Sequence, residues 1–292
     1  MDIKQLRQFI HLADSLHFGR ASEASHISPS ALSRSIKQLE DEVGVSLFDR
    51  DNRSVALTAE GNIFLSYARE SLTQWNTLKT QLMERTGELQ GQISMYCSVT
   101  ASYSFLFAIL SEFRSNYPKI EIKLHTGDPE HAINQVLSGN EDFAITAKPD
   151  SLPTGLAFKP IALSPLLFIA PKQGIEGKPR SINKLDETVP MILSEEGIAR
   201  KRIDRWLKEQ TIKPLIYAQV AGNEAIVSMV SLGFGVGVVP QIVLDNSPLA
   251  NTVDILDISP KLKAYEVGII TLEKKLKNPL VSAFWAQLKS SL

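Results

Sequence analysis

Four polar side chains between positions 30 and 37 are spaced so that they would share one side of a helix. At about 100° per residue, Ser30, Ser33, Arg34 and Lys37 fall between about 100° and 200° on a helical wheel. Short hydroxyl side chains let a helix lie deep in a major groove, and an arginine can donate two hydrogen bonds to one guanine. This spacing is therefore compatible with a helix face that contacts base edges of double-stranded DNA.

The opposite side of the same segment is apolar. Four residues fall within about 60° of one another on the wheel: Leu32, Ile36, Leu39 and Val43. Ser28 followed by Pro29 is a typical helix start, with the serine as N-cap and the proline at the first helical position. We therefore expect an amphipathic helix from residue 29 to about residue 43.

Two shorter helices are predicted before this one. The apolar spacing from Ile3 to Ala13 indicates a first helix that ends near residues 15–18, and Gly19 opens a second helix that carries Ala21 and Ala24. The small alanine side chains would let another helix approach closely. Three short helices with a polar face also form ordinary helical subdomains, so this pattern alone leaves both interpretations open.

A polar turn with two arginines follows the third helix. An apolar pair at 47–48 precedes polar residues 49–54, and residues 55–57 are typical of a short strand. This is the pattern of a β-wing, in which Arg50 and Arg53 would reach phosphates or a minor groove. Either arginine would otherwise be a solvated charge that neutralises a neighbouring aspartate.

A long continuous helix is predicted from residue 59 to about residue 85. This stretch contains no proline, and its only glycine, Gly61, lies in the first turn. Apart from Lys79, apolar residues follow a spacing of three and four along it: Leu65, Ala68, Leu72, Trp75 and Leu82. Such a helix spans about 40 Å. We expect it to pair with a second copy, since two DNA-binding heads on a twofold axis match a palindromic site; packing against its own chain is the alternative.

The segment from Gly87 to Gly91 ends this helix and is the clearest domain boundary. We expect a DNA-binding domain at 1–58, a dimerisation helix and hinge at 59–91, and a separate domain at 92–292. Residues 1–91 carry 10 Lys and Arg against 12 Asp and Glu, and the remainder carries 21 against 20. Because neither part is basic, positive charge for DNA must be sorted onto one face.

Strands and helices alternate from residue 92 onward, which predicts parallel α/β sheets. Strands are expected in a first set, in a second set and at the end of the chain: 93–97, 120–126, 143–145; 166–170, 191–193, 216–221, 236–239; and 265–271, before a helix at 279–288. Ligands of such sheets bind at the carboxyl ends of the strands. Residues that directly follow strands are therefore the candidates for ligand binding.

Hydroxyl groups lie where the first of these strands leads into a helix. Ser98, Thr100 and Ser102, with Ala101 among them, would combine hydroxyls with free backbone N–H groups, which suits a carboxylate. Thr100 or Ser102 would otherwise only cap the helix.

Charged residues near other strand ends complete the candidate ligand site. Lys148, Arg200 or Arg202 would supply a cation, although an exposed base is usually only solvated. Glu224, at a later helix start, would accept a hydrogen bond from a ligand hydroxyl, although acidic first turns are commonplace. Thr126, at the end of the second strand, belongs to the same candidate set.

Composition and missing motifs exclude several function classes. The 292 residues are 43% hydrophobic and 22% charged, as in ordinary proteins of two or more domains. The chain start lacks a basic region followed by an apolar run, and no stretch reaches about 18 apolar residues, so we expect a cytoplasmic protein that contacts no membrane. A single cysteine, Cys97, agrees with a reducing compartment. The histidines lack metal-ligand spacing, and nucleotide-loop and nucleophile-elbow motifs are missing, so we expect no metal, no cofactor and no catalysis.

Motifs over about the first 65 residues resemble the winged helix-turn-helix of LysR-type transcriptional regulators. They comprise residues 18–22, 28–36, 39–40, 47–48 with Arg50 and Arg53, and 57–61. The resemblance implies an all-α winged helix-turn-helix and a long linker helix, followed by an α/β effector domain of the periplasmic-binding-protein-like (type 2) architecture with two lobes. It places lobe I at about 92–162 and 266–292 and lobe II at about 163–265, with crossovers near 160–165 and 263–267.

The same resemblance implies roles for the polar residues. Ser30, Ser33 and Arg34 would face bases, and Arg53 would contact the duplex from the wing. The full expected DNA-contact set comprises Arg20, Ser28, Ser30, Ser33, Arg34, Lys37, Arg50 and Arg53. Many members have Gln-Pro-Ala or Gln-Pro-Pro where this chain has Ser28-Pro29-Ser30, so the resemblance does not extend to the base preferences at these positions.

Segments of the C-terminal domain resemble, more narrowly, the LysR-type activators that control expression of acetohydroxy acid isomeroreductase. These segments are 97–104, 121–128, 148–153, 223–230, 246–248 and 283–285. The resemblance implies an activator of isoleucine and valine biosynthesis, with acetolactate or acetohydroxybutyrate bound between the lobes. Its expected partners are promoter DNA, RNA polymerase and further copies of itself in a homodimer or homotetramer. The alternatives are a LysR-type regulator with another small carboxylate effector and a small-molecule binding or transport protein.

Overall fold

In the computed structural model, which describes residues 1–50, 54–84, 89–175 and 185–288, the chain forms two units. They comprise Met1–Glu88 and Leu89–Leu292. Within the described ranges, no helix has the length and apolar character needed to cross a membrane.

Three short helices open the first unit: α1 (Ile3–Ser15), α2 (Phe18–Ala24) and α3 (Pro29–Val43). The Asp2 side chain caps α1 by accepting a hydrogen bond from the Gln5 backbone N–H at 2.7 Å. Helix α3 has the predicted bounds, and its last turn passes into Gly44, whose φ of 81° is left-handed and favours glycine. The second helix begins at Phe18, one residue before its expected start, because the His17 side chain caps it.

The apolar side of α3 forms the core of this unit. Leu32, Ile36 and Leu39 have no exposed surface and pack in one cluster with Phe9 and Leu12 of α1. Each buried leucine or isoleucine contributes roughly 1.5–3 kcal/mol relative to an exposed one. The prediction for Val43 differs from the structure: this residue lies in the last turn of α3, beyond the cluster, and is 40% exposed.

A two-stranded wing and a long helix complete the first unit. Strand β1 (Phe48–Arg50) pairs antiparallel with β2 (Val55–Leu57), and α4 runs from Ala59 to Glu84. A Cβ atom on Gly61 would lie 2.1 Å from the backbone oxygen of Leu47. The first turn of α4 therefore requires glycine at this position to pass so close to the segment before the wing.

The second unit contains ten strands and six helices in the described residues. The strands are β3 (Gly91–Cys97), β4 (Ile120–Thr126), β5 (Phe143–Ala147), β6 (Leu156–Ser164), β7 (Leu166–Pro171), β8 (Pro190–Ser194), β9 (Leu215–Val220), β10 (Val236–Pro240), β11 (Val253–Leu256) and β12 (Tyr265–Leu272). The helices are α5 (Val99–Asn116), α6 (Ala132–Leu137), α7 (Gly197–Glu209), α8 (Asn223–Ser231), α9 (Gln241–Asp245) and α10 (Pro279–Gln287). A 3₁₀ turn at Pro129–His131 precedes α6.

The strands form two five-stranded sheets. The first sheet has the order β4-β3-β5-β12-β6, and the second has the order β11-β7-β10-β8-β9. Strand β3 is parallel to β4 and β5, and β8 is parallel to β9 and β10, as expected. Both sheets are nevertheless mixed, because β12 runs antiparallel to β5 and β6, and β7 runs antiparallel to β10 and β11.

The chain passes from the first sheet to the second at Pro165, at the end of the crossover region that the resemblance implies. Residues 160–164 belong to β6, where a crossover is expected, and only Pro165 separates β6 from β7. Pro160 is accommodated because β6 is an edge strand, and the pairing with β12 shifts register between Val267 and Gly268, opposite this proline. The return crossover precedes Tyr265, so that β12 lies in the first sheet and α10 follows it in the chain.

Candidate nucleic-acid interface and ligand cleft

The polar side of α3 faces outward from its core. Arg34, Lys37 and Ser30 are exposed, and Ser33 is partly buried. Leu32 and its apolar neighbours occupy the opposite side, as the helical wheel predicts. The helix therefore presents two basic side chains and two hydroxyl groups on one accessible surface.

Ser28 holds the start of this surface. Its Oγ accepts a hydrogen bond from the Ala31 backbone N–H at 3.2 Å and lies 3.1 Å from Oγ of Ser30. The hydroxyl is exposed but already serves as the helix cap. Arg20, on α2, is also exposed.

Glu40 connects α3 to the wing, a role that the sequence pattern does not reveal. Its Oε1 accepts hydrogen bonds from the backbone N–H groups of Leu47 (2.9 Å) and Phe48 (3.1 Å). Its Oε2 accepts from Nη2 of Arg50 at 2.6 Å, and the guanidinium carbon of Arg50 lies 5.4 Å from the centroid of the Phe18 ring. Arg50 is thus paired with a glutamate of α3, whereas the sequence predicts a DNA contact or, as the alternative, a neighbouring aspartate. The wing's other arginine, Arg53, lies outside the described residues.

The apolar seam of α4 divides into two parts. Ala68 has no exposed surface, and Leu65 and Leu72 pack against the same core as α1 and α3. Trp75 and Leu82 are exposed by 45% and 60%, as is Leu78 by 47%. Only the C-terminal half of the seam is therefore available to a second copy.

A cavity of about 230 Å³ lies at the carboxyl ends of the parallel strands in the second unit. At about 30 Å³ per molecule, this is the volume of roughly eight waters, which suits a small organic acid. The first sheet's side contributes Ser98, Thr100, Ala101, Glu130 and Thr146, and the second sheet's side contributes Gly197, Lys201 and Asn223, among others.

The predicted hydroxyls separate into different environments. The Oγ of Ser98 accepts from the Ala101 backbone N–H at 3.2 Å and so caps α5. Thr100 is buried and donates a hydrogen bond to Oε1 of Glu224, which joins the first helix of one sheet to a helix of the other. Ser102 donates to the Val99 carbonyl at 2.6 Å and does not line the cavity. Thr126, at the exposed end of β4, does not line it either.

The expected cations point to other partners. Nζ of Lys148 lies 3.0 Å from Oε2 of Glu266, outside the cavity lining. Arg200 donates to Asp204, to the Ser194 carbonyl at 2.7 Å and to the Gln219 side chain at 2.6 Å. Arg202 donates to the Lys263 carbonyl at 3.0 Å.

Lys201 is the lysine that lines the cavity. It lies between Arg200 and Arg202 on α7, whose buried side is formed by Ala199 and Ile203 among others. The rotation of about 100° per residue separates the three consecutive bases. The spacing of the buried residues was the available signal, because it fixes which of the three bases faces which way.

Glu130 is a second charged residue that the sequence pattern missed. Its carboxyl lies against Gly197, such that a Cβ atom on Gly197 would be 1.9 Å from Oε1 of Glu130. The pKa of Glu130 is raised from 4.5 to about 7: burial is the largest cause, the negative charges of Asp128 and Glu196 act in the same direction, and Lys201 acts in the opposite direction. The cavity therefore holds one carboxyl that titrates near neutral pH beside one ammonium group.

A further polar contact spans the same two sides. Nδ2 of Asn246, after α9, donates to Oγ of Ser104 on α5 at 2.9 Å. With the Thr100 to Glu224 hydrogen bond, it links α5 to two helices of the second sheet.

Among the described residues, no group of three or more His, Cys, Asp or Glu could hold a metal ion.

Each of the two units matches a family model. Residues 3–62 match the lysR-family bacterial regulatory helix-turn-helix, and residues 86–292 match the LysR substrate binding domain. The chain belongs to the LysR family of transcriptional regulators, a family of DNA-binding proteins and not of enzymes. The expected winged helix-turn-helix and α/β substrate-binding fold is confirmed.

Particular relatives match along almost the full chain. The HTH-type transcriptional activator IlvY of Haemophilus influenzae is 44% identical over 99% of this chain and 100% of its own length. IlvY of Escherichia coli is 43% identical over 98% of both chains. Among solved structures, full-length OxyR from Pseudomonas aeruginosa has a TM-score of 0.69 at 22% identity and covers 97% of this chain and 93% of its own. CbnR in complex with its target DNA has a TM-score of 0.63 at 21% identity over 98% of both chains.

Proposed function

We propose that this protein activates genes of isoleucine and valine biosynthesis in response to an acetohydroxy acid bound in the cavity of its second unit. The observation that carries the proposal is the match of 43–44% identity to IlvY activators over nearly the whole chain. The cavity supports the proposal, because hydroxyl side chains, the Asn223 amide and Lys201 line it. These groups suit the hydroxyl, ketone and carboxylate of acetolactate or acetohydroxybutyrate.

DNA is bound by residues 1–58. Ser30, Ser33 and Arg34 contact the edges of nucleotide bases, because such contacts specify the sequence. The other exposed basic side chains of α2 and α3 contact phosphates, because such contacts fix the position of the protein on the duplex. Arg50 supports the wing through Glu40. Arg53 is assigned to the duplex by the family resemblance alone.

Dimers form through residues 59–91, by the exposed part of α4 at Trp75, Leu78 and Leu82. Two heads then bind two half-sites, and a pair of dimers would occupy two such operators. RNA polymerase is the partner through which an activator of this class acts.

The effector acts by selecting one arrangement of residues 92–292. Ligand shifts the equilibrium only by its difference in affinity between the two arrangements. The hydrogen bonds from Thr100 to Glu224 and from Asn246 to Ser104 join the two sides of the cavity, so a ligand that replaces either bond changes how the sides pack.

The experiment compares two DNA fragments of equal length, one from upstream of the acetohydroxy acid isomeroreductase gene and one unrelated promoter. We expect the full chain to bind the first fragment specifically, and acetolactate to increase transcription from it in a purified system. Specific binding with a response to a different carboxylate would instead favour a LysR-type regulator of another pathway. Absence of any specific complex would contradict the proposal.

A further inference from the structure

Glu130 is placed where an acidic residue opposes the ligand that the cavity is proposed to bind. It lines the cavity together with Lys201, and its carboxyl fills the space beside Gly197 where any other residue would have a side chain. An anionic ligand that reaches Lys201 must therefore lie in the same small volume as this carboxyl. Two negative charges in a cavity of about 230 Å³ repel strongly unless one is neutralised.

The acidic groups around Glu130 cannot neutralise it. Asp128 directly precedes the 3₁₀ turn that contains Glu130. Glu196 directly precedes α7, and Glu195 beside it is a further acid. Lys201 is the cation that acts on it. Glu224, on α8, is already engaged by Thr100.

We propose that the cavity binds its anionic effector together with one proton, which Glu130 holds while the ligand is bound. The protonated carboxyl then donates a hydrogen bond to a carboxylate or keto oxygen of the ligand, and Lys201 keeps its charge for the ligand carboxylate. Glu130 is in this way a specificity-determining residue, because the uncharged carboxyl favours ligands with an acceptor at that place. The inference rests on the proposed function of the cavity as an effector site.

Three effects of the ligand act in the same direction. An organic anion displaces water from Glu130, adds a negative charge beside it and competes for Lys201. Each effect favours the protonated form. Since the pKa of Glu130 is already about 7 in the free protein, the proton is taken from solvent as pH rises above neutrality, and affinity must fall there by linkage.

The test is calorimetry of the full chain with freshly prepared acetolactate at pH 6, 7 and 8, each in two buffers of different ionisation enthalpy. We expect the Kd to rise about tenfold between pH 6 and pH 8. The buffer dependence of the enthalpy should show uptake that approaches one proton per site at pH 8.

Two variants identify the group that takes up the proton. Glu130→Gln keeps the size and the hydrogen-bond donor without the charge, so its Kd should change less than twofold over the same range, with no proton uptake. Glu209→Gln, at the exposed end of α7, removes one acid from the same helix and should behave like the unchanged protein.

The possible failures are distinguishable. Binding of acetolactate without pH dependence or proton uptake would overturn this inference and leave the proposed effector in place, as would proton uptake that persists in Glu130→Gln. Absence of binding by the unchanged protein and by Glu130→Gln at every pH would overturn both the proposed effector and the inference. The measurement on the unchanged protein stands alone if Glu130→Gln does not fold.

Discussion

Arg34→Ala separates base recognition from general attraction to DNA. Arg34 is exposed on α3, and alanine favours helix, so the free energy of unfolding should change by no more than about 0.5 kcal/mol. A bidentate contact to guanine contributes about 1–3 kcal/mol, so we expect the Kd for the specific site to rise roughly 5- to 150-fold per half-site. Binding to unrelated DNA should change far less, which relaxes specificity.

The assay is fluorescence anisotropy of the full chain at one fixed salt concentration, with the specific fragment and a scrambled fragment of the same length. Arg7→Ala removes an exposed base from α1 and serves as the matched control, with an expected change below about twofold. Lys37→Ala should weaken binding to both fragments alike and reduce the slope of log K against log salt by about 1. Equal loss on both fragments with Arg34→Ala would refute the reasoning, since Arg34 would then contact only phosphate.

The remaining predictions concern the core, the dimer, the cavity and pH. Leu32→Ala should lower the free energy of unfolding by about 2–5 kcal/mol in urea titrations, because Leu32 has no exposed surface and leaves a cavity; a loss below 1 kcal/mol would contradict the packing described. Trp75→Glu should shift the chain toward monomer in sedimentation equilibrium, since a charge would then lie in the exposed apolar seam of α4; an unchanged mass would show that this seam does not dimerise. Lys201→Gln should abolish the transcriptional response to acetolactate, and Lys148→Gln should leave it intact, because only the first of these lysines lines the cavity; the opposite result would reassign the cation. The pKa of Glu130 is higher in the folded chain than its ordinary value of 4.5, so its contribution to stability is full below pH 4.5 and is lost as pH rises through about 7. Glu130→Gln should therefore stabilise the protein by about 1–3 kcal/mol at pH 8 and little at pH 5, measured by urea unfolding, and equal effects at both pH values would contradict the cause assigned to the shift.

The helical part of the fold was predictable because its signals are local. The Ser28 cap, the proline after it and the period of the buried leucines all lie within α3 itself. Their agreement determines both the bounds of the helix and the outward position of Arg34. The end of the apolar stripe was not predictable in this way, because exposure of Val43 depends on where the rest of the core stops.

The sheets show where local patterns fail. The family resemblance implied a crossover near 160–165, yet β6 continues through Pro160 because it is an edge strand, and its partner β12 lies more than a hundred residues later in the chain. No window around Pro160 contains that information. The antiparallel direction of β7 in its sheet and of β12 in the other sheet was missed as well, because alternation of strands and helices does not specify strand direction.

The candidate cavity was predictable in position and not in its charges. Ser98 and Thr100 follow a strand that carries the expected signature, and both line the cavity. Selecting Lys201 in place of Arg200 requires the rotation of α7, and finding Glu130 requires the approach of two distant segments at Gly197. The spacing of the buried residues of α7 carried a signal for the first, whereas the second is a product of tertiary packing, which residue type and spacing do not encode.

Nuclease footprinting of the full chain on the DNA upstream of the acetohydroxy acid isomeroreductase gene tests the central claim most directly. The account predicts a protected site with twofold symmetry, lost with Arg34→Ala, whose pattern changes when acetolactate is added and does not change when Lys201 is replaced by glutamine. Protection that is absent, or that is identical with and without acetolactate in the unchanged protein, would contradict a regulator in which this cavity controls DNA binding.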